Sequence, residues 1–306
     1  MSLFEQCVIL NPNAGTADQL SLLEGLKQLG AVGLFTVQGP GHATEVARQA
    51  VREGFKRVIA AGGDGTLNEV INGLVDGFGK IELGLIPMGT GNDFARSVFI
   101  PPDPAQAVAI LNANQIRTVD VVRVDSGTPP SRYFINVSAG GFSSVVDEKL
   151  EKGSKDLLGT LAYAWSAIKA LPELVEHSLR VVFDDDEVVE MSAYNIVVAN
   201  GCYVAGGIPV APSARLDDGL LDVMIFRAMP LSKMALMLPS VMAGEHLEDE
   251  DVLFRHARKV HITADPPFEF NTDGEVSGQS PVTFEVVPQA LHVVVGAPPA
   301  EQAEAT

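Results

Sequence analysis

VIAAGGDGTLNEVING, residues Val58–Gly73, is the stretch that decides the fold. It opens with an unbroken apolar run, as in a strand covered on both faces. From Leu67 onward, Leu67, Val70, Ile71 and Leu74 recur at the spacing of an amphipathic helix. Gly62, Gly63 and Gly65 lie between the two, with Asp64 in their midst and Thr66 behind. A strand, a glycine turn and a helix make an anion cradle: without Cβ atoms the backbone N–H groups reach a phosphate, and the helix N-terminus adds partial positive charge. The same residues also read as a tight strand-to-helix connection with Thr66 capping the helix. The pattern is neither a P-loop, since no lysine follows the last glycine, nor GxGxxG. Asp64 would repel a phosphate unless a cation bridges the two or the carboxylate orders neighbouring amides, so it points to magnesium or to a scaffold hydrogen-bonding role.

Working outward, CVILNP is a short strand ending at Pro12, and ATEVARQAVREG is a helix with Val46, Ala47, Ala50 and Val51 on one face, stopped by Gly54. ELGLIPMG is another covered strand, and residues 104–112 read as a helix. Covered strands alternating with helices predict a parallel sheet in an α/β domain over residues 1–125. Two further small-residue turns, NPNAG from Asn11 and PMGTGNDFAR from Pro87, follow strands of that sheet, where open α/β sheets bind ligands. In the second, Asn92 or Asp93 is a candidate helix cap.

After Asp125 the texture changes to short alternating strands, including LRVVFDDDEVVEM around an acidic turn and LLDVMIF, VTFEVVP and LHVVVG. Residues 126–298 are therefore expected to form a β-rich sandwich or barrel with helical insertions near 144–176 and 232–246, and residues 299–306 a disordered tail. The 306 residues suit two domains. A net charge of −18 and a pI of about 4.6 argue against a general nucleic-acid binder. Two cysteines make neither a disulfide framework nor a four-ligand zinc site, the start lacks the basic region of a signal peptide, and no apolar run is long enough to span a bilayer. A cytoplasmic protein is expected. No HExxH or GxSxG pattern occurs, which argues against a histidine metal site or a serine hydrolase.

Taken in order, NPNAG, GGDGTLNEV and PMGTGNDFAR, then NGCYVAGGIPVAPSARLDDGLLDV and NTDGE, resemble the catalytic domain of the diacylglycerol kinase family, and most closely its soluble bacterial lipid-kinase branch. The resemblance spans nearly the whole chain. It implies an NAD kinase-like α/β domain followed by a β-sandwich, with ATP in the cleft between them. By that resemblance Gly62, Gly63, Asp64, Gly65, Thr66, Leu67, Asn68 and Glu69 line the nucleotide site. Thr36, Gly89, Thr90 and Asn92 approach it from neighbouring turns, and Asn11 and Gly15 flank the phosphates. It likewise implies a magnesium ion held by the backbone carbonyls of Arg215 and Leu220 and the carboxylate of Asp218. Glu275 is favoured as the base that accepts the acceptor's hydroxyl proton, with Asp273 its rival or partner and Asp64 a further catalytic acid.

Each of these residues has a plainer reading. Asn68 and Glu69 are first-turn helix residues, Asp218-Gly219 is a turn entering a strand, and Asp273-Gly274 is a hairpin signal. The implied partner is a lipid met peripherally at the inner membrane face. Lys149, Lys152 and Lys155, followed by Leu157 and Leu158, are the candidate membrane contact, or else part of an ordinary helix packed on the β domain. Which lipid is phosphorylated, and whether the chain forms a homodimer, stay open. Two other functions compete: a soluble-metabolite kinase of the NAD kinase or phosphofructokinase type, and a non-catalytic nucleotide-binding regulatory module. The lack of a second polar recognition set counts against the first; the intact Asp64, Asp218, Asp273 and Glu275 count against the second.

Overall fold

The computed structural model describes residues 5–14, 19–30, 32–141 and 174–298. Gly15, the lysines at 149, 152 and 155 with Leu157 and Leu158, nearly all of the 144–176 insertion, and the 299–306 tail lie outside the described residues. Two compact units emerge, Asp120–Pro288 and the segments on either side of it.

In the first unit, strands β1 (Gln6–Leu10), β2 (Val32–Thr36), β3 (Arg57–Gly62) and β4 (Glu82–Pro87) alternate with helices α1 (Gln19–Gln28), α2 (His42–Glu53) and α3 (Asp64–Gly73), followed by α4 (Asp93–Ser97) and α5 (Pro104–Ala113). Every strand contact here is parallel, in the order β2–β1–β3–β4. All six residues of β3 are buried, as the unbroken apolar run predicts for a strand covered on both faces. Helix α2 buries Ala43, Val46, Ala47 and Ala50; Val51, expected on that face, is only half-buried. Helix α5 begins with Pro104 and is capped by Asp103, whose carboxylate accepts the Gln106 N–H at 2.8 Å. Helix α1 and strand β2 carried no expectation from the sequence.

The second unit is antiparallel. It comprises most of β5 (Ile116–Asp125), then β6 (Arg132–Phe134), β7 (Val137–Gly141), β8 (His177–Phe183), β9 (Glu187–Ala199), β10 (Leu221–Arg227), helix α6 (Leu231–Ala243), β11 (Val252–Ala257), β12 (Lys259–Asp265), β13 (Glu269–Thr272), β14 (Glu275–Gln279) and the first part of β15 (Val282–Val294). Strand β9 pairs with β8 through its first half and with β7 and β10 through its second. Burial alternates along β8 and β12, as period-two patterning requires when one face meets a core. That core includes Phe134, Val181, Ile196, Val223, Phe270 and Phe284.

Strand β15 runs through both units. Its early residues pair with β12, whereas His292 and Val293 pair in parallel with Glu82 and Leu83 of β4. The chain from Gln289 onward therefore belongs to the first unit, and the first crossing falls after Val119. The sequence reading, with its division at 125 and residues 126–298 in the β-rich domain, does not anticipate this return. A parallel partner some two hundred residues upstream leaves no local mark on a strand.

Below α6, His246 is fully buried, stacked on Phe226 with ring centroids 5.8 Å apart, and its Nε2 donates to the Val210 carbonyl at 2.9 Å. Burial pushes its pKa below 6.5, against the pull of the Val210 and Ser240 carbonyls. The unfolded chain therefore binds a proton at a higher pH than the folded one. Stability is full above the ordinary histidine pKa and falls as pH drops through about 6.5 toward the depressed folded value. Chemical denaturation across that window should show this slope, and His246→Gln, which keeps a donor for Val210, should flatten it. A slope unchanged in the variant would assign the effect to other groups. No helix among the described residues is long and apolar enough to cross a membrane.

Candidate active site

Parallel pairing places Leu10 beside Ala61 and Gly62 beside Pro87, so β1, β3 and β4 end level and release their turns on one edge. Because β2 and β3 flank β1 on opposite sides, the chain reverses its winding there, and the crevice at the carboxyl ends of β1 and β3 is where such sheets bind ligands. The Asn11 turn is fastened to this edge. Its backbone N–H donates to Ala61 at 2.9 Å, and its side-chain amide donates to the Thr66 hydroxyl at 2.9 Å. Thr36 ends β2, exposed, opposite Leu10.

Helix α3 begins at Asp64, with extended Gly63 as a cap that offers no side chain. Thr66 is thus inside the first turn and does not cap the helix, which corrects the plainer sequence reading. Gly63 lies against the next turn: a Cβ on Gly89 would stand 2.7 Å from Gly63 Cα, and Met88 donates to the Gly62 carbonyl at 2.9 Å. The two glycine turns touch backbone to backbone, which only residues without Cβ permit.

Asp64 fixes this junction. Its Oδ2 accepts the Asn92 N–H at 2.8 Å and its Oδ1 the Asp93 N–H at 3.0 Å. The residue keeps some solvent exposure, yet burial of the carboxyl pushes its pKa up, opposed by the N–H groups of Asn92, Asp93, Asp64 and Phe94. Of the two roles read from sequence, these hydrogen bonds are those of the scaffold. Asn92 sits in the left-handed region at φ 52 and caps α4 by backbone position only. Its side chain instead grips Gly89, accepting the N–H at 2.9 Å and donating to the carbonyl at 2.7 Å. Gly65 is half-buried and Thr90 exposed on the same edge.

The back of α3 departs from the expected lining. Leu67 and Asn68 are buried, Asn68 accepting from the Asn72 amide at 3.2 Å. The Glu69 carboxylate is bound to the first turn of α2, accepting from Gly41 at 2.9 Å and Ala43 at 3.0 Å.

The other candidate acids lie in the second unit, at two places. Strands β13 and β14 join through Asp273 at φ 47 and Gly274 at φ 89, both positive as a type I′ hairpin turn requires. The Asp273 carboxylate accepts from Val137 at 2.9 Å and Ile135 at 3.1 Å, binding the hairpin to the start of β7. Glu275 opens β14, its backbone paired with Thr272.

The second place is the loop entering β10. Asp218 accepts the Leu220 N–H at 3.0 Å, Gly219 at φ 72 donates to Asp120 at 2.7 Å, and exposed Arg215 lies 3.9 Å from Asp217. Asp222 accepts from the Ser213 hydroxyl at 2.6 Å and lies 3.2 Å from His256. Burial, and secondarily the Asp218 charge, push the Asp222 pKa up, against Ser213 and His256. No group of three or more His, Cys, Asp or Glu side chains poised for a metal occurs among the described residues. The candidate magnesium ligands of this loop, one carboxylate and two main-chain carbonyls, are oxygen donors, the type a hard cation takes together with retained water.

Sequence reasoning missed Asp120, a wholly buried acid within the apolar run of β5, and Asn200. The Asn200 amide donates to the carbonyls of Asp120 at 3.2 Å and Ile135 at 2.7 Å. One buried side chain thus joins the Asp120–Gly219 contact to the segment that holds Asp273. The only sequence signal for either residue was a polar group inside an otherwise apolar strand context.

Residues 5–124 match the diacylglycerol kinase catalytic domain, and residues 136–295 match the YegS C-terminal NAD kinase beta sandwich-like domain. A protein of Staphylococcus carnosus named diacylglycerol kinase is 32% identical over 94% of this chain and 93% of its own length. The chain belongs to the diacylglycerol kinase family. A Bacillus subtilis relative of the same name is 33% identical over 86% of this chain and 85% of its own. A crystal structure of a diacylglycerol kinase from Bacillus anthracis covers 97% of this chain and 98% of that one with a TM-score of 0.73 and 23% identity, a likeness of fold alone. Family membership carries kinase chemistry with it, and the mixed α/β unit followed by a β-sandwich-like unit is the architecture the sequence predicted.

Proposed function

We propose that the chain is an ATP-dependent lipid kinase that transfers the γ-phosphoryl group to a lipid hydroxyl, with diacylglycerol as acceptor and phosphatidic acid as product. The observation that carries this reading is the backbone junction of the Gly63 and Gly89 turns, locked by Asp64 at the switch point of the parallel sheet. Such a junction brings glycine backbone, with no Cβ in the way, to the carboxyl edge of the sheet and the start of a helix, which suits a triphosphate.

Catalysis of phosphoryl transfer is mainly positioning and neutralisation of charge. In this reading the Asn11, Gly63 and Gly89 turns hold the donor's phosphates, with the hydroxyls of Thr36 and Thr90 at the margin. Arg215 and Leu220, through their carbonyls, and Asp218, through its carboxylate, would hold Mg2+, which would supply positive charge to the phosphate oxygens. Glu275 accepts the hydroxyl proton of the acceptor. Asp273 keeps the hairpin in place, since both its oxygens already accept backbone N–H groups. The partner is a lipid surface, met transiently.

ADP release measured with and without mixed micelles containing diacylglycerol tests the reading. Micelle-dependent release supports it. Turnover driven by NAD or a sugar phosphate alone would replace it with a soluble-metabolite kinase, and nucleotide binding without turnover would replace it with a regulatory module.

A further inference from the structure

Glu69 stands one turn beyond Asp64 and Gly65 on α3, and the resemblance implied that it lines the nucleotide site. Its carboxylate is engaged elsewhere. Oε1 accepts the Gly41 N–H at 2.9 Å and Oε2 the Ala43 N–H at 3.0 Å. These belong to the N-terminus of α2, where the cap residue Gly41, at φ 80, has no side chain to satisfy them. The Thr44 hydroxyl donates in turn to the Glu69 carbonyl at 2.8 Å. One turn further along α3, a Cβ on Gly73 would meet the Thr44 carbonyl at 2.4 Å and Ala47 Cβ at 2.6 Å, so the two helices are in close contact there as well.

A helix N-terminus attracts an anion, and here the protein supplies its own. The segment leading into α2 is fastened at both ends. Val37 donates to Leu10 at 2.7 Å beside Thr36, Gln38 donates to His42 Nδ1 at 3.2 Å, and Glu69 holds Gly41 and Ala43. The residue that fixes this segment lies on the same helix as Asp64 and Thr66. We propose that Glu69 is a positioning residue of the nucleotide site: its carboxylate holds the Thr36–Ala43 segment in register with the Gly62–Thr66 turn and does not itself touch the nucleotide. This rests on the nucleotide-binding reading given above.

Glu69→Gln tests it, because a carboxamide can accept one of the two N–H groups but turns an NH2 toward the other. Titration calorimetry with the non-hydrolysable analogue AMP-PNP and with inorganic tripolyphosphate, both with Mg2+, should show affinity for both ligands falling by a similar factor, about tenfold for one lost charge-assisted hydrogen bond. In kinetics, KM for ATP should rise by more than kcat falls. Ala43→Pro removes the N–H that Oε2 accepts while suiting the first turn of a helix, so it should reproduce the effect, and the double variant should add little to either change. Thermal melts establish that each variant is folded. A loss confined to AMP-PNP would mean direct contact with base or ribose and would overturn the proposal. Unchanged affinity in folded Glu69→Gln would overturn it as well while leaving the nucleotide-binding reading intact. A wild-type protein that binds neither ligand would overturn both.

Discussion

Replacing Asp64 by asparagine should lower unfolding stability by about 3 kcal/mol and reduce kcat/KM for ATP by at least about a hundredfold. The side chain keeps its size, so packing is not the cause. Asp64 accepts the N–H groups of two consecutive residues, Asn92 and Asp93, at 2.8 and 3.0 Å. An asparagine oxygen can serve one of them, and its NH2 must then face the other donor. Gly91 is packed against this carboxylate, since a Cβ there would lie 2.7 Å from Asp64 Oδ2. The 89–93 turn must therefore move away from Gly63, and the donors that the two turns present together lose their register. Urea melts and initial rates on the same preparation check both parts. Full activity in a folded Asp64→Asn variant would show that the junction does not depend on this carboxylate.

Glu275→Gln and Asp273→Asn should fail in different ways. The Asp273 carboxylate already binds Val137 and Ile135, and its own N–H donates to the Val137 carbonyl at 3.0 Å. Its substitution removes an anchor, so stability and rate should fall together, stability by about 2 kcal/mol. Glu275→Gln removes the proposed proton acceptor. It should cut kcat by about 10²–10⁴-fold, as loss of a general base does, with unfolding stability unchanged to within about 0.5 kcal/mol. If Asp273→Asn instead loses rate with no loss of stability while Glu275→Gln retains most of its rate, the roles are reversed.

Much of the first unit was legible in the sequence because its signals are local. Strands β3 and β4 are without charge after their first residues, Arg57 and Glu82, and each ends in a glycine turn that opens a helix. The Asp273-Gly274 hairpin and the Asp184–Asp186 turn were legible for the same reason, since aspartate and glycine adopt positive φ more readily than most other residues. What the sequence could not convey was the partner of each acid. The resemblance made Asp64, Glu69 and Asp273 ligands or catalysts, yet their hydrogen-bond donors lie 28 and 29, 28 and 26, and 138 and 136 positions away. The helix start at Asp64 was missed because Gly63 caps through backbone conformation, while Thr66 looked like the better side-chain cap. The return of β15 to β4 was hidden in the same way: VTFEVVP and LHVVVG read as two strands of one domain, but they form one strand serving two units.

The central claim is phosphoryl transfer to a lipid hydroxyl. Incubating the chain with γ-labelled ATP, Mg2+ and diacylglycerol in mixed micelles, followed by thin-layer separation of the lipids, tests it most directly. The expected result is label in a product that comigrates with phosphatidic acid, requires added diacylglycerol and is lost in Glu275→Gln. Label appearing only in a water-soluble acceptor, or no labelled lipid from a protein that binds ATP, would contradict it.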